Sequence, residues 1–304
     1  MRFLDAAELQ RRLPMSAAID ALEAGFRAQD PSAAPLRSHL ATPAGSLLLM
    51  PAFGDGGVGV KLVTLTPDNP ERRLPLIGAV YVLFDATTQV PEAIVDGAAL
   101  TALRTAAVSG LATRHLANPD SGRLVIFGAG VQARAHLDAM VAVRRIENVT
   151  VVSRTLPRAQ ELVGMARELE VDAEVGEPAD VAEADLVCTC TTSDVPLFDG
   201  GRLVDGVHIN AVGSFQPTTR ELDTATLLRA VVVVETREAA FAEAGELSIP
   251  MGDGAFGREH IAADLAEVVH GTSVRTAGSD ITVFKSVGLA FEDLIVARAA
   301  VDAS

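Results

Sequence analysis

Residues 128–133 read GAGVQA, a G-x-G-x-x-A motif. It stands directly after the apolar run Leu124-Val125-Ile126-Phe127 and opens a helical stretch reaching about Val143. No other feature of the chain constrains the fold as strongly. The first glycine permits a tight turn, and the second lets the backbone approach a pyrophosphate. The small Ala133 keeps helix and strand close, while the helix N-terminus offers N–H groups to the anion. Such a motif is weak alone, but here its context is complete. A second strand follows at 149–152, a helix at 156–170, and apolar strands at 186–189, 207–211 and 231–234. Strands alternating with helices imply a parallel sheet covered on both faces. The sequence therefore predicts an α/β, doubly wound dinucleotide-binding domain of Rossmann type over 120–275.

The nucleotide preference is read at the end of the second strand. An Asp or Glu there would bind ribose hydroxyls, but the sequence has Ser153-Arg154-Thr155. Arg154 either pairs with a 2′-phosphate or is a solvated strand-end charge. The expectation is NADP(H), with NAD(H) possible.

The flanks have a different texture. Residues 5–29 read as two helices, capped by Asp5 and Ser16 with Pro14 between them. Residues 31–46 read as loop or irregular strand, and short apolar bursts at 46–50, 58–65 and 76–84 suggest a β meander. A helix rich in Ala and Leu covers 98–117, and 281–302 gives a short strand, a break at Gly288 and a final amphipathic helix. The expected organisation is one domain built from 1–119 and 276–304, with the α/β domain 120–275 between its parts.

A net charge of −15 argues against nucleic acid or an anionic membrane as a partner. No signal peptide or run of 18 apolar residues is visible, so a cytoplasmic protein is expected. Cys188 and Cys190, the two cysteines, alternate along a strand and suit neither a disulfide nor a metal. None of the six histidines has metal-ligand spacing, so no metal is expected.

Of 25 basic residues only Lys61 and Lys285 are lysine. Lysine, unlike arginine, can shift its pKa and deliver a proton. Lys61 lies inside the apolar strand Gly59-Val60-Lys61-Leu62-Val63, and Arg104 lies inside a small, apolar helical stretch. Charges embedded in this way need partners. These are either a carboxylate ligand or an internal acid such as Asp85, Asp96 or Glu92.

Five segments carry a resemblance. Residues 59–69 (GVKLVTLTPDN), 81–85 (YVLFD), 96–107 (DGAALTALRTAA), 128–133 and 282–290 (TVFKSVGLA) together resemble the ornithine cyclodeaminase/mu-crystallin family, nearest its ketimine reductase-like members. The resemblance implies that the terminal segments form an α+β substrate and dimerisation domain, and that the protein is a homodimer. It implies NAD(P)-dependent oxidoreductase chemistry on a C=N/CH–NH bond of a small carboxylate substrate. Arg37, Met50, Lys61, Arg104 and Phe215 would line the substrate, with Lys61 catalytic as proton donor or orienting group. Lys285 would be a structural lysine. Arg104, Thr105, Gly128, Gly130, Val131, Gln132, Ser153, Arg154, Thr155, Thr189, Val212, Ser286 and Gly288 would contact the cofactor. Cyclodeaminases carry an acid shortly after the glycine of the Ala211-Val212-Gly213 segment, where this chain has Phe215. Phenylalanine can neither accept a proton nor pair with a side-chain ammonium. Reduction of a cyclic ketimine acid, 1-pyrroline-2-carboxylate or 1-piperideine-2-carboxylate, is therefore expected. An amino-acid dehydrogenase, an ornithine cyclodeaminase and a non-catalytic binder of small acids are the alternatives.

Overall fold

The computed structural model describes residues 1–303 and divides into two compact units. The first comprises 1–104 and 289–304, and the second comprises 105–288.

In the first unit, six strands are ordered β1-β6-β5-β4-β3-β2. They are β1 (Arg2–Leu4), β2 (Ser38–Thr42), β3 (Gly45–Gly54), β4 (Gly57–Leu65), β5 (Ile77–Phe84) and β6 (Pro91–Asp96). The strands from β2 to β6 pair antiparallel, and β1 joins β6 in parallel. Alternation is clean: Leu48, Met50 and Ala52 of β3 are buried, whereas Leu47, Leu49 and Pro51 are half-buried on the opposite face. The helices are α1 (Ala6–Arg12), α2 (Met15–Ala28), the start of α3 (Gly97–Leu116) and, at the end of the chain, α10 (Ala290–Asp302). Asp5 caps α1 through Glu8 N as expected. Ser16 does not cap α2: Pro14 occupies that position without a side-chain bond, its fixed φ suiting a helix entry. The last helix is also not amphipathic in the ordinary sense. Ala290, Phe291, Leu294, Ala297 and Val301 are buried, and so are Glu292 and Asp293.

The second unit holds an all-parallel sheet of order β13-β12-β14-β11-β10-β7-β8-β9. Its strands are β7 (Arg123–Phe127), β8 (Asn148–Val152), β9 (Asp172–Val175), β10 (Leu186–Thr189), β11 (His208–Ala211), β12 (Ala230–Val234), β13 (Ile261–Asp264) and β14 (Ile281–Lys285). Between them run α4 (Val131–Val143), α5 (Leu156–Glu168), α6 (Thr224–Arg229), α7 (Arg237–Glu243), α8 (Gly245–Gly252) and α9 (Leu265–Val269). Leu124 to Phe127 are all buried, as a strand covered on both faces requires. The units do not divide at the expected 119/120 and 275/276. Strand β14 pairs with β11 and β12 inside the parallel sheet, and the first division falls within α3, after Arg104. Among the described residues, no helix is long and apolar enough to cross a membrane.

Candidate active site

Register brings the first unit's chemistry together. Met50, Lys61, Tyr81 and Val95 form one row across β3, β4, β5 and β6 on the buried face. Gly59, two residues before Lys61, leaves room for the Tyr81 ring, since a Cβ there would meet the hydroxyl at 1.8 Å. The Lys61 ammonium donates to Asp293 Oδ1 at 2.9 Å. Arg104, from α3, donates through Nε to the same oxygen at 3.2 Å and through Nη1 to Glu292 Oε2 at 3.0 Å. Lys61 and Arg104 are only 1% and 4% exposed, and both acids are fully buried.

Arg104 therefore has internal acid partners, but not those considered from sequence. Asp85 is spent on the Thr87–Thr88 turn, Asp96 receives Ala98 and Ala99 N–H at the start of α3, and Glu92 pairs with Arg298. The two acids sequence reasoning missed are Glu292 and Asp293. Their signal was present: two adjacent carboxylates inside an otherwise apolar helix.

Burial pushes the Lys61 ammonium down to about 8, helped by the Arg104 charge, opposed by Asp293 and helped again by Arg37. Arg37 is half-buried in the segment before β2. Burial and the Asp293 charge push the Tyr81 phenol up. Lys61, Arg104, Glu292 and Asp293 thus form one buried, charge-paired cluster.

The second unit holds a cavity of about 540 Å³ at the carboxyl ends of β7, β8, β9 and β10. The chain passes outward from β7 to β9 and returns to β10 on the other side of β7, so the cavity sits where strand order reverses. Gly128 adopts φ +104°, and a Cβ there would meet the Cys190 carbonyl at 2.5 Å. A Cβ on Gly130 would meet nothing within 4 Å, which leaves its backbone open to an approaching group. Gly130 caps α4 without a side chain, so the first-turn N–H groups remain for an anion. These features fit a dinucleotide pyrophosphate.

Of the expected cofactor residues, Gly128, Gly130, Ser153, Arg154 and Thr155 line this cavity. Val131 is exposed on the first turn of α4, with Gln132 beside it. Thr105 is buried on α3. The Thr189 hydroxyl donates to Glu221 at 2.6 Å, and Val212 N–H donates to the Thr189 carbonyl at 3.1 Å. Ser286 Oγ and the Gly288 N–H both donate to Glu235, which stands at the end of β12.

Phe215 is half-buried on a loop with three anchors. Gly213 N–H donates to Glu221 at 2.8 Å, Ser214 Oγ donates to the Thr219 carbonyl at 2.7 Å, and Lys285 Nζ donates to the Ser214 carbonyl at 2.6 Å. Lys285 also pairs with buried Glu246 at 3.0 Å. Glu221 receives the Thr191 N–H and hydroxyl as well, so its oxygens are fully occupied by the fold. Burial raises its pKa, against those donors. His136 and His208 are pushed down by burial to about 4 and about 3, and both are hydrogen-bonded inside the second unit.

Comparison with known proteins accords with this architecture. The family model described as "Ornithine cyclodeaminase/mu-crystallin family" matches residues 1–303. A Delta(1)-pyrroline-2-carboxylate reductase of Bacillus cereus is 39% identical over 278 residues, covering 87% of this chain and 84% of that protein. The solved Thermococcus litoralis Delta(1)-pyrroline-2-carboxylate reductase, in complex with NADH and L-proline, superposes with TM-score 0.93 at 35% identity, covering 99% of this chain and 97% of its own. An archaeal alanine dehydrogenase dimer with bound NAD also gives TM-score 0.93, at 30% identity, covering 99% and 95% of the two chains. These findings overturn the expected preference for NADP(H), because the solved relatives hold NADH and NAD. The physical reason lies at the cavity rim. Arg154 is exposed there and shares the rim with the exposed acid Glu177, whose charge would repel a 2′-phosphate.

Proposed function

The chain belongs to the ornithine cyclodeaminase/mu-crystallin family, and we propose that within it this protein is an NAD(H)-dependent reductase of 1-pyrroline-2-carboxylate, giving L-proline. At the coarser level, the chain is an NAD(P)-dependent oxidoreductase acting on a C=N/CH–NH bond. One observation carries the finer reading: the 39% identity to a Delta(1)-pyrroline-2-carboxylate reductase extends over 84% of that protein. The Lys61 cluster supports it, because a buried lysine and a buried arginine, both groups that can hold a carboxylate, meet there. Phe215 supports it too, because it offers no acid to a side-chain amine.

Bound NAD(H) supplies the hydride for the imine carbon. The chain's own residues do the rest. Arg104 and Arg37 attract and orient the carboxylate, and Met50 packs in the same row as Lys61. The Lys61 ammonium gives its proton to the imine nitrogen, a role suited to a pKa near working pH. With Lys61 lowered to about 8, reduction requires the form present below that pH. Reductive kcat/KM is therefore expected to fall as pH rises through about 8, and proline oxidation to rise through the same range. Steady-state rates in both directions across that range check this. The test of the function is a substrate panel with NADH: 1-pyrroline-2-carboxylate, 1-piperideine-2-carboxylate, pyruvate with ammonia, and ornithine. Turnover is expected with the first. A preference for pyruvate with ammonia would instead indicate an alanine dehydrogenase.

The second partner in this reading is another copy of the chain. The sheet face opposite Lys61 carries the rows Leu49–Leu62–Val80 and Pro51–Val60–Val82, all half-buried and apolar. Such a face suits an isologous contact. Val60→Glu is expected to convert a sedimenting dimer into a monomer, whereas Arg11→Glu, on exposed α1, leaves it a dimer. Unchanged sedimentation of Val60→Glu would exclude this face.

A further inference from the structure

Asp293 performs no step in the scheme above, yet two cations from separate elements converge on one of its oxygens. Lys61 Nζ of β4 lies 2.9 Å from Oδ1, and Arg104 Nε of α3 lies 3.2 Å from it. The other oxygen, Oδ2, has no hydrogen-bond partner among the described residues. Helix α10 holds the carboxylate rigidly. Phe291 packs edge-on against Phe26 of α2 with ring centroids 5.2 Å apart. A Cβ on Gly25 of α2 would come within 2.9 Å of Ile295, so the two helices approach as closely as a glycine allows.

The charges around Lys61 explain what such a carboxylate is for. Arg104 on α3 and Arg37 before β2 both work against its proton, while Tyr81 faces it from β5. Helix α10 presents Asp293, with Glu292 beside it engaged by Arg104. Asp293 is the group that favours the ammonium. Without it, a buried lysine that feels the charges of two guanidinium groups would lose its proton more readily. We propose that Asp293 is the positioning residue of this site, whose single oxygen aims Lys61 and Arg104 together and keeps Lys61 charged as the proton donor. The last role rests on the function proposed above; the control of Lys61's charge does not.

The scarcity of lysine makes a direct test practical. With ¹⁵N-lysine labelling, the full-length protein has two side-chain amine signals, from Lys61 and Lys285, and Lys61→Arg assigns them. In Asp293→Asn, the Lys61 titration is expected to move down by roughly 1–3 pH units. The high-pH limb of reductive kcat/KM is expected to move with it, while NADH binding is retained. A Lys61 titration identical to that of the parent protein overturns the proposal. A shifted titration with an unmoved rate profile upholds it, and overturns instead the reading of Lys61 as proton donor. Should Asp293→Asn fail to fold, Lys61→Met/Asp293→Asn is expected to restore folding, because the buried amine left without its carboxylate has been removed. A double variant that fails to fold as the single one does overturns the proposal.

Discussion

Lys61→Met is expected to lower kcat for imine reduction by roughly a hundred- to ten-thousandfold, the usual worth of a positioned general acid. Methionine keeps much of the side-chain volume, so the buried row Met50–Lys61–Tyr81 keeps its packing. The proton donor is lost and Asp293 loses one of its two cationic partners, although Arg104 still reaches it at 3.2 Å. NADH affinity is expected to stay within about twofold, because the cavity lined by Gly128 and Gly130 is built wholly within the second unit. Single-turnover kinetics together with NADH titration separate the two effects. Retention of more than about a tenth of the parent kcat would remove Lys61 from the chemistry.

The second large effect is expected on the cofactor side. Gly128→Val places a β-branched side chain at φ +104°, with its Cβ 2.5 Å from the Cys190 carbonyl. Backbone strain of this kind costs about 1–3 kcal/mol. The contact is with backbone at the end of β10, so no side chain can swing away to relieve it. The turn between β7 and α4 must then shift, which misplaces the first-turn N–H groups of α4. NADH binding is expected to weaken roughly ten- to hundredfold, converting that strain to affinity, and the melting temperature to fall. Gly164→Ala is the control: a Cβ on that α5 glycine meets nothing within 4 Å, so binding is expected to be unchanged. Equal NADH affinity in Gly128→Val and the parent would mean that the cavity at this turn is not the dinucleotide site.

Some parts of this molecule were plain in the sequence because short spacing determines them. The 128–133 motif needs only a strand before it and a helix after it, and the structure has β7 and α4 there. Lys61 stood out because a charge inside an apolar strand is anomalous at a single position. Other parts depended on contacts distant in sequence. Lys61 and Asp293 are 232 residues apart, and nothing local to either pairs them. The 281–285 strand reads the same whether it joins one sheet or another. Only insertion between β11 and β12 places it in the parallel sheet. Residues 31–46 read only as loop or irregular strand because the five residues of β2 are all exposed, which gives no apolar alternation to read. The nucleotide preference is not legible at Ser153-Arg154-Thr155 alone, because Glu177, 23 residues after Arg154 and just after β9, lines the same cavity.

The proposed function requires that hydride pass from NADH to the imine carbon of 1-pyrroline-2-carboxylate. NADH deuterated at its transferable position, incubated with enzyme and this imine, tests it in one measurement by NMR of the product. The expected result is L-proline with deuterium on the α-carbon, one equivalent for each NADH oxidised. Proline without deuterium, or no NADH oxidised while alanine or ornithine is turned over, would contradict it.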